Sequence, residues 1–186
     1  AALAFAGAGD WARAGECFSR NNQFLPAAQH FEKAGEHYQA GLNYAKAGKY
    51  EDAIRTLQKL AENDKYFDVS RALLGRCFYE LHDFAHCAAT LDNHLMGKRV
   101  DHKNIDYFYM LALAYEQLGK LEQSQEIFYK IRSVDVGYRD VKDRVSSIES
   151  RISMMAKGSG PTPASMQAQD ATSADEVAQM VERSLK

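Results

Sequence analysis

An all-α chain of short helices packed in antiparallel pairs is what this sequence predicts, and three observations carry that reading. Residues 105–135 place apolar side chains at helical spacing on both sides of a break at Gly119. The first third of the chain repeats itself every 13 residues, with Gly or Asn at a constant place. The 3 Pro in 186 residues fall at or outside predicted helix interiors, as an all-helical chain requires.

In the 105–135 stretch, Phe108, Leu111, Ala112, Tyr115 and Leu118 form one face, and Leu121, Ser124, Phe128 and Ile131 form another after the glycine. Both sets follow the i, i+3/i+4, i+7 spacing of an amphipathic helix. Large residues stand where the two helices face each other, and small ones (Ala112, Ala114, Ser124) where backbones must approach. This order resembles the tetratricopeptide repeat, a helix–turn–helix unit of about 34 residues. One departure is Val136, which stands where that family places a helix-stopping proline.

The shorter period runs through four gapless segments beginning at Ala8, Asn21, Ala34 and Ala47. Their second positions are Gly9, Asn22, Gly35 and Gly48, residue types that tolerate the left-handed conformation ending a helix. The fourth positions are Trp11, Phe24, His37 and Tyr50, and the seventh is always Ala (Ala14, Ala27, Ala40, Ala53). The eleventh is Phe18, Phe31, Tyr44 or Leu57, and the last is always a cation (Arg20, Lys33, Lys46, Lys59), suited to the negative end of a helix dipole. Each segment therefore reads as one short helix and a tight turn. Pro26 fits because it falls in a first turn, where its missing N–H is no loss. Helices below about 12–15 residues do not hold alone in water, so these must stack.

The resemblance extends over residues 34–67 through Gly41, Tyr44, Gly48, Tyr50, Ala53 and Leu57. It continues over 68–101 through Leu74, Gly75, Cys77, Phe78, Phe84, Cys87 and Leu91, with His82 in place of the turn glycine and a longer loop over 96–104. Residues 1–33 carry the shortened repeats, and 34–136 three full ones. In 137–156, Val141, Val145, Ile148, Ile152 and Met155 make the stripe of a capping helix. Residues 157–172, rich in Gly, Pro, Ser and Ala, read as a flexible linker, and 173–186 as a short C-terminal helix or frayed tail with Val177, Met180, Val181 and Leu185 on one side. The resemblance implies a right-handed α-solenoid of about eleven helices. The opening Ala-Ala-Leu-Ala-Phe-Ala, without Met, reads as a helix cut from a longer protein.

Composition excludes several classes. A net charge of −2 carries no polyelectrolyte signal for nucleic acid or anionic lipid, and no apolar run is long enough for a membrane helix. Cys17, Cys77 and Cys87 are odd in number and sit at small or apolar helix positions, so free thiols in a reducing compartment are expected. His82, His86, Cys87 and Cys77 have metal-ligand chemistry but not the convergence that zinc demands, and no metal or cofactor is expected. No nucleophile elbow or phosphate-cradling loop is present, so no enzyme is expected. The basic loop Lys98, Arg99, His102 and Lys103 is too small a patch to specify a partner.

Binding remains. In the family, the first helix of each pair lines a concave groove, and the resemblance implies a peptide or helix of a partner protein as ligand. Carried over by position, the first repeat offers Tyr38, Leu42 and Lys46, and the second Val69, Ala72, Arg76 and Tyr79. The third offers Asp106, Tyr109, Leu113, Glu116 and Gln117. Each tyrosine could equally pack on the neighbouring repeat. Chaperone-binding members clamp a C-terminal carboxylate with Lys and Asn, whereas the matching positions here hold Tyr38, Ala72 and Tyr109, so no carboxylate clamp is implied. A self-associating scaffold using the tail, and a regulatory segment of a larger enzyme, are the alternative readings. The ending of the repeats is similar to that of bacterial multidomain tetratricopeptide proteins, which implies a cytoplasmic location.

Overall fold

The computed structural model describes residues 1–156, and among these the chain forms ten helices and no strand. The expected linker 157–172 and terminal segment 173–186, with the docking role considered for them, lie outside the described residues. Two compact units are present: residues 1–99 with 113–119, and residues 100–112 with those from Lys120 onward.

The first unit contains α1 (Ala2–Gly7), α2 (Trp11–Arg20), α3 (Phe24–Lys33), α4 (His37–Lys46), α5 (Tyr50–Leu57), α6 (Phe67–Glu80) and α7 (Phe84–Leu95), each packed on the next. The 13-residue register is visible directly, since α2 to α5 all begin at the fourth position of their segment. The second positions are left-handed, with φ of 77° at Gly9, 58° at Asn22, 76° at Gly35 and 70° at Gly48. That conformation lets the next N–H reach back to the eleventh position of the segment whose helix has just ended. Gln23 donates to the Phe18 carbonyl, Glu36 to Phe31 and Lys49 to Tyr44, each at 2.9 Å. These bonds satisfy carbonyls that a helix end leaves open. His82 takes the same left-handed conformation (φ 57°), and Asp83 donates to the Phe78 carbonyl at 2.9 Å. Asp83 then caps α7 by accepting from the His86 N–H at 3.2 Å.

The alanines at the seventh positions, Ala14, Ala27, Ala40 and Ala53, are wholly buried. Within pairs, a glycine on the first helix meets a large side chain on the second: Gly15 meets Phe31, Gly41 meets Leu57, and Gly75 meets Leu91. These contacts identify α2/α3, α4/α5 and α6/α7 as the helix pairs. Glu32 joins two of them, accepting the Tyr44 hydroxyl at 2.8 Å and Lys59 at 3.0 Å. The Tyr44 hydrogen bond and the Lys59 contact hold the Glu32 carboxyl below its ordinary range. Burial and the same bond push the Tyr44 phenol up to about 12.

Helix α8 (Ile105–Gln117) is interior on nearly every side, consistent with a helix apolar around most of its circumference. Its residues to Ala112 belong to the second unit with α9 (Leu121–Val134) and α10 (Val141–Ala156). Leu121, Ser124, Phe128 and Ile131 are buried as their spacing predicts. Ser124 donates its hydroxyl to the Ala112 carbonyl at 2.8 Å, and the Phe128 ring meets Tyr109 edge-on at 5.8 Å. Leu118 departs from its expected face: α8 stops at Gln117 so that Gly119 can turn (φ 71°), and Leu118 is left exposed. Along α10, Val141, Val145 and Ile148 are buried, whereas Ile152 is half-buried and Met155 exposed. The capping stripe is covered only over its first two turns.

Candidate functional site

The positions expected to face a ligand divide sharply by accessibility. In the first unit, the Tyr38 ring on α4 lies parallel to Tyr66 with centroids 4.5 Å apart. Lys65 places its ammonium 4.7 Å from the Tyr66 ring centre, and Val69, in the first turn of α6, is 47% exposed. Tyr38, Tyr66 and Leu42 are half-buried. Tyr38 and Tyr66 thus make an aromatic pair with a cation at its edge, and Val69 stands about one helical turn beyond Tyr66.

Ala72, Arg76 and Tyr79, farther along α6, are interior. Tyr79 packs edge-on against Phe84 at 5.4 Å, the intramolecular use that an aromatic at this position also allows. Arg76 stands near Tyr50 and Glu80, and its charge opposes the upward push that burial exerts on both groups. One oxygen of the Glu80 carboxylate is buried with no hydrogen-bond partner. These residues stabilise and shape the unit rather than present themselves at its surface.

At the end of α8, Leu113 is buried, Glu116 half-buried and Gln117 exposed. In the second unit, Asp106 and Tyr109 are both engaged by the turn that precedes α10. The Tyr109 hydroxyl donates to Asp140 at 2.5 Å, and Tyr109 is only 2% exposed. Asp106 accepts from the Tyr138 hydroxyl and, at 2.8 Å, from the Arg139 guanidinium. Burial pushes the Tyr109 and Tyr138 phenols well above their ordinary value, and the acceptor carboxylates add to that push.

Residue spacing alone does not single out Tyr66, Tyr138 or Arg139. A signal was present all the same: each tyrosine stands in the link that follows a helix pair, beside a cation (Lys65 or Arg139).

The His/Cys group falls into separate local roles. His82 serves the turn and meets Phe84 edge-on at 5.7 Å. His86 contacts Asp83 at 2.7 Å and stacks on Phe78 at 5.3 Å. Cys77 and Cys87 are buried, and burial pushes both thiols up to about 12. Among the described residues no group of three or more His, Cys, Asp or Glu is arranged to hold a metal ion, and no helix is long and apolar enough to cross a membrane.

Residues 37–65 and 106–134 match the tetratricopeptide repeat family. No curated protein matches the chain. Among solved structures, the chain is similar to the crystal structure of MamA, with 17% identity over 92% of each chain and a TM-score of 0.64. It is also similar to the first tetratricopeptide domain of Spaghetti (RPAP3) bound to the HSP90 peptide SRMEEVD, with 19% identity over 63% of this chain and 90% of that one, and a TM-score of 0.55. The second such domain of human RPAP3, in complex with the HSP70 peptide SGPTIEEVD, aligns with 18% identity over 61% of this chain and 92% of that one, at a TM-score of 0.51. Such identities speak for the fold alone. Two matched repeats, glycine-to-large contacts in three helix pairs and left-handed turns between helices give the chain a tetratricopeptide-like all-helical fold, with tetratricopeptide repeats at residues 37–65 and 106–134.

Proposed function

We propose that this chain is a protein-interaction module without enzymatic activity, and that it binds a peptide or helix of a partner protein on the first-helix faces of its repeats. One observation carries the reading: at expected ligand positions of two successive repeats, Val69 is 47% exposed and Tyr38 stacks on the half-buried Tyr66, so apolar side chains remain accessible there. Aromatic side chains with few rotatable bonds lose little entropy when they anchor a partner, and a rigid helical surface needs no ordering on binding. The two RPAP3 domains are described in complex with chaperone peptides, which supports a peptide as the class of ligand. The ligand here is not a carboxylate-terminated one, because Tyr38, Ala72 and Tyr109 occupy the positions where a Lys/Asn clamp stands. A cytoplasmic setting fits the three unbridged cysteines.

A matched pair of variants tests this. Val69→Asp places an acid in the first turn of α6, where the helix dipole favours it, so the fold is kept while the apolar face is broken. Leu25→Asp does the same in the first turn of α3, the second helix of its pair. The full chain and both variants are used to capture proteins from lysate of the source cell. The reading expects a protein retained by the wild type and by Leu25→Asp and lost by Val69→Asp. Equal retention by all three overturns it, as does loss by Leu25→Asp alone.

A further inference from the structure

We propose that the turn carrying Tyr138 and Arg139 is a built-in ligand of the third repeat, and that the face beneath it recognises a segment with an aromatic residue followed by arginine. This builds on the reading that first-helix faces take ligands, and it adds what this particular face takes.

Asp106 and Tyr109 are the first two ligand positions of the third repeat, and both are already satisfied by the chain itself. Asp106 accepts from the Tyr138 hydroxyl and from the Arg139 guanidinium, which forms an ion pair with it at 2.8 Å. The same guanidinium lies 4.9 Å from the Tyr109 ring centre and 5.2 Å from that of Tyr138. The Tyr109 and Tyr138 rings meet edge-on at 5.7 Å. An acid that pairs with arginine, and an aromatic face that the guanidinium covers, make a two-part recognition surface for an aromatic–arginine dipeptide. A carboxylate-terminated peptide, by contrast, would meet Asp106 and Asp140 and be repelled.

Two further features mark the turn as separable from the fold beneath it. Arg139 has φ +45°, a left-handed conformation that a non-glycine residue holds only when its surroundings outweigh the strain. Helix α10 is seated independently, through Val141, Val145 and Ile148, all buried. Removing the turn's side chains therefore uncovers Tyr109 without undocking α10.

The test uses the full chain and a terminally blocked, fluorescein-labelled peptide of the chain's own sequence, Asp-Val-Gly-Tyr-Arg-Asp, read by fluorescence anisotropy. Arg139→Gly suits the left-handed backbone, and Tyr138→Ala/Arg139→Gly removes both side chains that cover the Asp106 carboxylate and the Tyr109 ring, leaving the Asp140 bond to the Tyr109 hydroxyl in place. The double variant is expected to bind the peptide at least about tenfold more tightly than the wild type, whose face is already filled. Adding Asp106→Asn to it, or replacing arginine in the peptide by alanine, is expected to abolish that gain. Equal binding by wild type and variant overturns the proposal, and so does absence of binding by a variant that keeps its helical circular dichroism and melting transition. Should the double variant not fold, Arg139→Gly alone decides by the same criteria. This assay reads the Asp106–Tyr109 face and the lysate capture reads the Tyr38–Val69 face, so a failure in one is distinct from a failure in the other.

Discussion

Gly41 on α4 lies so close to Leu57 on α5 that a Cβ placed there would come within 2.4 Å of the Leu57 Cγ and 2.6 Å of its Cδ2. Alanine ordinarily favours a helix over glycine by about 1 kcal/mol. At Gly41 the overlap reverses that sign. Gly41→Ala is expected to lower stability by about 1–3 kcal/mol, seen as a lower urea midpoint. Leu57→Ala in the same chain should make the double variant less destabilised than the sum of the two singles. Gly7→Ala, with nothing within 4 Å of the new Cβ, is expected to be neutral or stabilising.

The turn residue His82 offers the opposite experiment. Its φ of 57° is one that glycine adopts freely and other residues adopt at a penalty of about 1–2 kcal/mol. His82→Gly is expected to raise the melting temperature, less any contribution lost with the Phe84 ring contact. Gly48→Ala, at φ 70°, is expected to lower it by a similar amount. If both substitutions are neutral, the turn conformation is not under the constraint argued above.

Between α8 and α9, hydrophobic burial and a single hydrogen bond can be compared side by side. Phe128 is completely buried, and Phe128→Ala is expected to remove about 3–5 kcal/mol through lost contacts and a cavity. Ser124→Ala removes only the hydroxyl bond to the Ala112 carbonyl, a loss of about 1 kcal/mol. Chemical denaturation of the two variants should rank them in that order.

His94 predicts the pH response. Burial, and then the Lys98 charge, hold its imidazole below the ordinary histidine value, while Asp68 opposes both. The imidazole contacts Asp68 at 3.1 Å, and Lys98 reaches the same carboxylate at 3.2 Å. A histidine whose folded pKa is depressed binds fewer protons folded than unfolded. Its neutral form therefore contributes stability that is present above the unfolded value, about 6.5, and is lost as pH falls from there through the folded value. Asp68 contributes with the same sign but at lower pH: although burial raises its carboxyl, Lys98 and His94 more than offset that and hold it below the usual range. Melting temperature is expected to fall between about pH 7 and pH 5 in the wild type, and more gently in His94→Gln. An equal slope for both would remove His94 as the cause.

The helix boundaries were legible because local geometry encodes them. Gly9, Asn22, Gly35 and Gly48 each require or tolerate a left-handed turn, and α2 to α5 start two residues after each of them. The core face was equally legible in Ala14, Ala27, Ala40 and Ala53, because only one face of a short helix can meet its neighbours. The site was less so. Val69 and Tyr38 remain accessible, but Arg76, Tyr79 and Tyr109 do not, and their spacing is the same.

What the sequence by itself determined is the repeat unit: where each helix starts, where it turns, and which residues pair across it. Those properties follow from backbone conformation and from contacts roughly one repeat apart, which recur and so reveal themselves as a pattern. What only the tertiary structure decided is which of the expected ligand positions stay open. Asp106 and Tyr109 are covered by Tyr138, Arg139 and Asp140, some thirty residues farther along the chain. That contact depends on a turn conformation at Arg139 and on the seating of α10 through Val141, Val145 and Ile148. Tyr138 has a counterpart in Tyr66, but whether such a residue covers the helix face beneath it depends on packing between segments some thirty residues apart, which spacing along the chain does not encode.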